Sequence, residues 1–344
     1  MRVNLEEEIS WIREILLNFG ATKDEADVTS TVLAEGDLRG FPSHGIMRMT
    51  YIIRGINRGF IKLNCNPVYK ITRASTGIMD GDHGLGHYVT MKATERAISM
   101  ARNTGIASIG IVNSNHFGIA GVYAEKISLE GLIGIIMASS DPAVHAYGGS
   151  EAVMGTNVLA ISVPHGSSPV LLDMAMSEVA RGKIVEEAKK HNEIPANWAL
   201  DSDGRPTTDP DAALRGSLNP FGGVKGYGLS VMLSLMTGPL VGAPAGKRVK
   251  STLEVNEFCT KGDLIIAIDP ESFVGAEYFN MGVSNFIDEI KNSRRAPGFE
   301  NITVPGDNSR RRREQNRKDG YDINDKTIGE LRNILAANGK FCSF

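Results

Sequence analysis

Two apolar runs of strand length, Ile106–Val112 (IASIGIV) and Leu132–Ala138 (LIGIIMA), bracket a helical stretch at Ile119–Leu129. This β-α-β signature constrains the fold more than any other feature of the chain. A strand that is apolar on both faces lies in a sheet covered on both sides. Two such strands joined by a helix predict a neighbouring parallel pair linked by a right-handed crossover, and hence an α/β fold. Further strands are predicted at Gly77–Asp80 and Asp263–Asp269, and a hairpin at Val158–Val163 and Val170–Asp173 around PHGSS.

The first 66 residues have a different texture. Leu5, Ile9, Ile12, Leu16 and Phe19 recur at helical spacing, a second helix runs from Asp24 to Leu38, and a third is predicted to start at Ser43. Pro67 marks the change to mixed pattern. The chain therefore divides into a helical region, 1–66, packing with the C-terminal stretch 286–344, and an α/β domain at 67–285 that would hold a cofactor. Helices are also predicted at Thr90–Arg102, Ser177–His191, Gly226–Val241, Glu277–Lys291 and Thr327–Ala337.

Composition excludes several functions. The 37 Lys+Arg nearly balance 40 Asp+Glu, which gives no general reason to expect a nucleic-acid partner. Three scattered cysteines exclude a disulfide framework and fit a reducing, cytoplasmic compartment. No apolar run reaches the ~18 residues of a membrane span, so no membrane partner is expected. The start of the chain, acidic and periodic, does not read as a signal peptide.

Ligands of open α/β sheets collect at the carboxyl ends of strands. Ile106–Val112 runs into Asn113-Ser114-Asn115-His116, and Leu132–Ala138 into Ser139-Ser140-Asp141. On adjacent strands ~4.8 Å apart, His116 and Asp141 would share a rim, the carboxylate orienting an imidazole that moves a proton. His44 and Arg48, four apart on the helix predicted at Ser43, offer a guanidinium and an imidazole to a substrate carboxylate. His83 and His87 invite a metal, but Gly84 and Gly86 between them argue against a helix holding both, and the helical metalloprotease pattern is absent.

Three glycine-rich segments bear on phosphate binding. Gly84–Val89 is a near miss to the dinucleotide fingerprint, and Gly242–Lys247 is not a P-loop. Gly222–Gly228 sets Lys225 among glycines at the start of an apolar helix, where an anion is favoured. The run Arg310–Arg313, with Arg317 and Lys318, lacks interleaved aromatics, so a solvated face or local contact with a cofactor phosphate fits better than nucleic acid.

Six segments in order, Ser43-His44-Gly45 with Arg48, Ser114–Gly118, Gly155-Thr156-Asn157, Leu172–Ala175, Gly204–Pro210 and Gly222–Gly228, resemble the type-2 malate/L-lactate dehydrogenases. That family includes ureidoglycolate and L-sulfolactate dehydrogenases, and the chain most resembles the archaeal L-sulfolactate-type members. The resemblance implies a non-Rossmann, NAD(P)-binding mixed-sheet fold. It also implies a homodimer or dimer of dimers that interconverts L-2-hydroxycarboxylates and 2-oxocarboxylates with NAD, or with NADP. Sulfolactate or malate are the implied substrates, the former placing it in coenzyme M biosynthesis; ureidoglycolate or lactate are alternatives. His116 and Asp141 take the catalytic positions. Ser43, His44 and Arg48 take the substrate positions, and Thr156, Asn157, Asp173, Met174, Ala175, Lys225 and Gly306 those of the cofactor. Val158, Met176-Ser177-Glu178 and Asp307 depart from the family pattern, all on the cofactor side. A different class, a metal-dependent hydrolase on His83, His87, His116 and His145, is the rival reading; no metal is expected.

Overall fold

The computed structural model describes residues 1–250 and 255–344. Helices α1 (Leu5–Asn18) and α2 (Lys23–Leu38) each open on a capping box, Asn4 with Glu7 and Thr22 with Glu25. Each box satisfies two N–H groups that a helix start leaves orphaned. Two 3-10 turns, Pro42–His44 and Ile46–Arg48, then lead into α3 (Met49–Asn57). The continuous helix predicted from Ser43 is not formed, because Gly45 between the turns adopts an extended conformation (φ −96°, ψ −150°). Its missing side chain makes room for Asp37, whose Oδ2 would lie 1.7 Å from a Cβ there.

Seven strands form the main sheet: β1 (Val68–Arg73), β2 (Thr76–Asp80), β3 (Ile106–Val112), β4 (Ile133–Ala138), β5 (Val158–Val163), β6 (Val170–Ala175) and β7 (Asp263–Ile268). Their spatial order is β1-β2-β3-β7-β4-β5-β6. β2 and β3 are parallel and every other neighbouring pair is antiparallel, so the sheet is mixed. This corrects the sequence reading of β3 and β4 as neighbours. β7, which follows them by more than a hundred residues, inserts between them and pairs with both. The β5–β6 hairpin forms as predicted.

Both sheet faces are covered, which is why the central strands are apolar throughout. Helices α4 (Gly86–Thr104) and α5 (Gly121–Leu129) pack on Ile109, Ile111, Ile136 and Ile265. Helix α6 (Val224–Thr237) packs on the alternate residues Ile135, Met137 and Leu264. A separate apolar cluster joins α1, α2 and α3 to Ile328, Leu331 and Leu335 near the C-terminus, and the ladder Arg2–Val3 with Tyr321–Asp322 ties the two chain ends.

The sequence did not separate a small lobe of four short strands (Pro142–His145, Ala152–Gly155, Ala199–Leu200, Ser217–Leu218), in which Val144, Ala199 and Leu218 share a cluster with Val179, Ile184 and Ile194. Beyond β7 come α7 (Ala276–Asn292), α8 (Asp307–Asp319) and α9 (Asp325–Ala337). The arginine run is helical, as part of α8. Its arginines are structural in part: Arg313 bonds both oxygens of Glu35 in α2, and Arg310 pairs with Asp307 and donates to the Pro169 carbonyl. No helix among the described residues is long and apolar enough to cross a membrane.

Candidate active site

Register gathers the polar loops at one edge of the sheet. Asp80 of β2 lies opposite Val112 of β3, Asp263 of β7 opposite both Ile111 and Ala138, and Val158 of β5 opposite both Ala138 and Ala175. The segments 81–86, 113–118, 139–141 and 155–157 all leave from this rim. Asp82, His83, Asn113 and Asn157 there hold positive φ between 37° and 54°. Such left-handed turns are tolerated best by Asn, Asp and His.

His116 is fixed by its backbone. Asn115 donates to the carbonyls of His83 and Gly84 at 2.9 and 2.8 Å, lacing the two loops together. Gly86, the first residue of α4, presses against the same segment, with the Asn115 and His116 carbonyl oxygens 2.1 and 2.4 Å from where a Cβ would be. The imidazole of His116 lies 5.3 Å, centroid to centroid, from His44 and 6.2 Å from His87. Arg48 donates to the Ser43 carbonyl at 2.6 Å, and Ser43 Oγ lies 2.9 Å from His44 Nδ1. Although they sit on two separate turns, His44 and Arg48 therefore reach the same place. Arg48, His87 and His116 line one narrow pocket with Tyr51, Leu85 and Gly86.

The electrostatics of this pocket are one-sided. Burial, then the Arg48 guanidinium, pushes the His44 imidazole down to about 3. Burial pushes His87 to about 3 as well, with Arg48, Lys261 and His44 adding to it. His116 falls well below the usual histidine range through burial and the same neighbours. Arg48 itself is lowered to about 10 by burial, against the pull of Tyr51 and Asp141. These rings are neutral at pH 7 around a cation. An anion is the group the pocket would accept.

One pairing predicted from sequence is not made. His116 Nδ1 accepts from the Gly118 N–H at 3.1 Å, and no hydrogen bond joins the ring to Asp141 among the described residues. The physical reason is the inserted strand: β7 separates the ends of β3 and β4 from which the two residues leave, and the charge of Asp141 acts on Arg48. The sequence reading also missed what β7 brings. Lys261 and Asp263 form a buried ion pair at the rim, with the Lys261 ammonium 4.6 Å from the centroid of Phe117. An aspartate opening an otherwise apolar strand was the available signal.

The residues aligned with the cofactor do not all share one face. Thr156 Oγ1 lies 3.3 Å from Ser140 Oγ, and Asn157 takes the Ser140 N–H at 3.3 Å and donates to Ser234 of α6 at 2.9 Å. Lys225 is exposed in the first turn of α6, behind Gly222 and Gly223 with φ of 56° and 64°. Along β6, alternation turns Met174 toward α6 and Asp173 toward α5, while Ala175 ends at the rim. Asp173 accepts the Gly121 N–H at 2.6 Å at the start of α5, and burial raises its carboxyl to about 6. Gly306 packs on Leu171 beside a polar cleft with Arg39, Glu125, Ser168, Arg310 and Arg313. The remaining histidines named from sequence stand apart: His83 stacks on Phe258 at 4.3 Å, and His145 bonds Asn219 at 2.8 Å. Among the described residues no three His, Cys, Asp or Glu side chains are grouped to hold a metal.

A mixed sheet with neutral imidazoles gathered around a guanidinium at its rim makes a site for a small anionic ligand. Comparison with known proteins makes this specific. Residues 3–332 match the family described as malate/L-lactate dehydrogenase, and the chain belongs to that family of pyridine-nucleotide dehydrogenases acting on 2-hydroxy acids. It is 42% identical over 334 residues to the malate/(S)-sulfolactate dehydrogenase of Methanothermus fervidus, covering 97% of each chain. It is 43% identical to the L-sulfolactate dehydrogenase of Methanocaldococcus jannaschii, covering 96% of this chain and 95% of that one. The solved sulfolactate dehydrogenase from M. jannaschii superposes with a TM-score of 0.93 at 40% identity, covering 99% of this chain and 98% of the other.

Proposed function

We propose that the rim site interconverts L-2-hydroxycarboxylates and 2-oxocarboxylates that carry a second anionic group, of which L-sulfolactate/sulfopyruvate and L-malate/oxaloacetate are the leading pairs. A sulfonate substrate would place the enzyme in coenzyme M biosynthesis. The observation that carries the proposal is a pocket with a half-buried guanidinium, neutral imidazoles and, among the described residues, no internal anion bonded to them. In this reading Arg48, held by Ser43, takes the substrate carboxylate, with His44 beside it. His116 exchanges a proton with the oxygen on C2. Burial, then Arg48 and its neighbours, hold His116 neutral; an entering anion offsets the cationic part of that and favours proton uptake by the ring as the oxo acid binds. Proton uptake exchanges the Gly118 contact for an Nδ1–H. The imidazolium then protonates the oxygen in reduction, and the neutral ring recovers the proton in oxidation. Asp141, acting through Arg48, limits the positive charge that accumulates.

The bound nicotinamide cofactor supplies or accepts the hydride. The residues at the rim fit such a group. Lys225 stands exposed in a glycine-opened helix start, where a diphosphate is favoured, with Thr156 and Asn157 on the adjoining loop. Asp173, Met174, Ala175 and Gly306 are assigned to it by resemblance. NAD is the proposed cofactor: Arg310 and Arg313 beside Gly306 are already paired with Asp307 and Glu35, which leaves them less free for the extra phosphate of NADP. A second copy of the chain is the proposed partner. Leu229, Met232 and Leu235 on α6, and Tyr278, Met281 and Phe286 on α7, are exposed apolar side chains of the kind an interface covers.

The test is spectrophotometric: oxidation of NADH and NADPH with sulfopyruvate, oxaloacetate, 2-oxoglutarate and pyruvate. His116→Ala is expected to lose about 10²–10⁴-fold in turnover while still binding NADH. Absence of oxidation with every acid, or near-normal turnover in the variant, overturns the proposal.

A further inference from the structure

His87 has no role in the reaction as described, yet it is the least satisfied polar side chain of the pocket. It is 1% exposed, and neither ring nitrogen has a hydrogen-bond partner among the described residues. An orphaned buried polar atom is costly, and native proteins keep few of them. The ring has little freedom to turn away: His116 stands across it at 6.2 Å, and the Gly118 backbone closes behind it, with His87 Cδ2 3.3 Å from where a Gly118 Cβ would be.

A second feature meets it there. His87 is the second residue of α4, a helix of 19 residues that has no side-chain cap. The N–H groups of Gly86, His87 and Tyr88 find no acceptor among the described residues, the first intrahelical bond being Val89 to Leu85. Gly86 and His87 both line the pocket that holds Arg48 and His116. A free helix start with its partial positive charge, a donor-capable ring without a partner, and a nearby guanidinium converge on one small volume.

We infer that His87 and the uncapped start of α4 form the subsite for the second anionic group of the substrate, a carboxylate or sulfonate next to the reacting oxo acid. Arg48 holds one end of the molecule, His116 faces the carbon that is reduced, and His87 with the α4 N–H groups holds the other. The inference deepens the two-anion reading above and rests on it. It also gives the pocket a means of discrimination, because an acid with a methyl at that position leaves the orphaned donors unpaired.

The experiment compares kcat/KM for oxaloacetate, sulfopyruvate and pyruvate in wild type, His87→Gln and His87→Phe, with inhibition constants for malonate and acetate. His87→Phe is expected to lower the ratio of dianion to pyruvate kcat/KM by about 10- to 100-fold, chiefly through KM, as loss of a hydrogen bond to a charged group does. His87→Gln, which keeps a donor, recovers part of the ratio, and malonate inhibition weakens more than acetate inhibition in both. A structural role alone would lower all substrates together. An unchanged ratio in His87→Gln and His87→Phe, with malonate and acetate inhibition moving in parallel, overturns the inference while leaving the 2-oxo acid reading intact. A wild-type enzyme that reduces only pyruvate, or none of the three, overturns the two-anion reading and this inference with it.

Discussion

Replacing Gly86 by alanine tests whether His116 works through its exact seat. The new Cβ would lie 2.1 Å from the Asn115 carbonyl oxygen and 2.4 Å from that of His116, where ordinary contact begins at 3.4 Å. Both obstacles are backbone, so no side chain can swing aside. The segment must retreat by roughly 1 Å, and Asn115 resists because its amide is bonded to two carbonyls of the facing loop. Overpacking of this kind costs about 1–3 kcal/mol of stability. A misplacement of about 1 Å in a reacting group costs about 10²-fold in rate. Gly86→Ala is therefore expected to fold with a lowered Tm, to bind NADH normally, and to lose about two orders of magnitude in kcat. Steady-state kinetics, NADH fluorescence and circular dichroism read the three. Gly329→Ala is the control: a Cβ there meets nothing within 4 Å inside α9, so activity holds and stability rises by up to about 1 kcal/mol. Wild-type turnover in Gly86→Ala, with the lowered Tm showing that strain was introduced, would refute the claim that the α4 start positions His116.

Arg48→Ala should raise KM for the oxo acid by about 10- to 100-fold, as loss of a charge-assisted bond does, and leave NADH affinity alone; an unchanged KM removes Arg48 from substrate binding. Asp173 carries a stability signature: its carboxyl rises from an ordinary 3.8 to about 6 on folding, so its contribution is full below about pH 3.8 and is lost as pH climbs through 6. Asp173→Asn keeps an acceptor for the Gly121 N–H, so it should overtake wild type across that window and exceed it at pH 8 by up to about 3 kcal/mol. Parallel unfolding profiles at pH 4 to 8 would disprove this. Lys261→Met should destabilise by about 3–5 kcal/mol by stranding the buried Asp263 charge, measured by urea unfolding; Lys261→Met with Asp263→Leu should recover much of the loss. Met281→Asp with Phe286→Asp on α7 should lower the mass seen in sedimentation velocity if a second copy covers that face, and an unchanged mass would remove α7 from the interface.

Local pattern was enough to locate most of this architecture, and its limits have a single physical origin. Helices with caps and regular spacing, such as α1 and α9, and strands apolar on both faces, such as β3 and β4, are specified within their own segments. So are the loops at their ends, which is why His116 and Arg48 could be named before their positions were known. The order of strands is not a local property. β7 reads as one more apolar strand, and nothing in its residues says that it wedges between β3 and β4. Yet that insertion decides the electrostatics of the rim. It widens the gap that Asp141 would have to cross to reach His116, and it places the Lys261–Asp263 pair beside Phe117. His87 escaped for a related reason. From sequence it was half of a possible metal pair with His83. Only packing shows that His83 lies against Phe258 while His87 is sealed against His116 with neither nitrogen partnered among the described residues. A residue's chemistry is written in the chain, but whether that chemistry is satisfied depends on what the fold brings from elsewhere, and the unsatisfied groups are the ones left for a ligand.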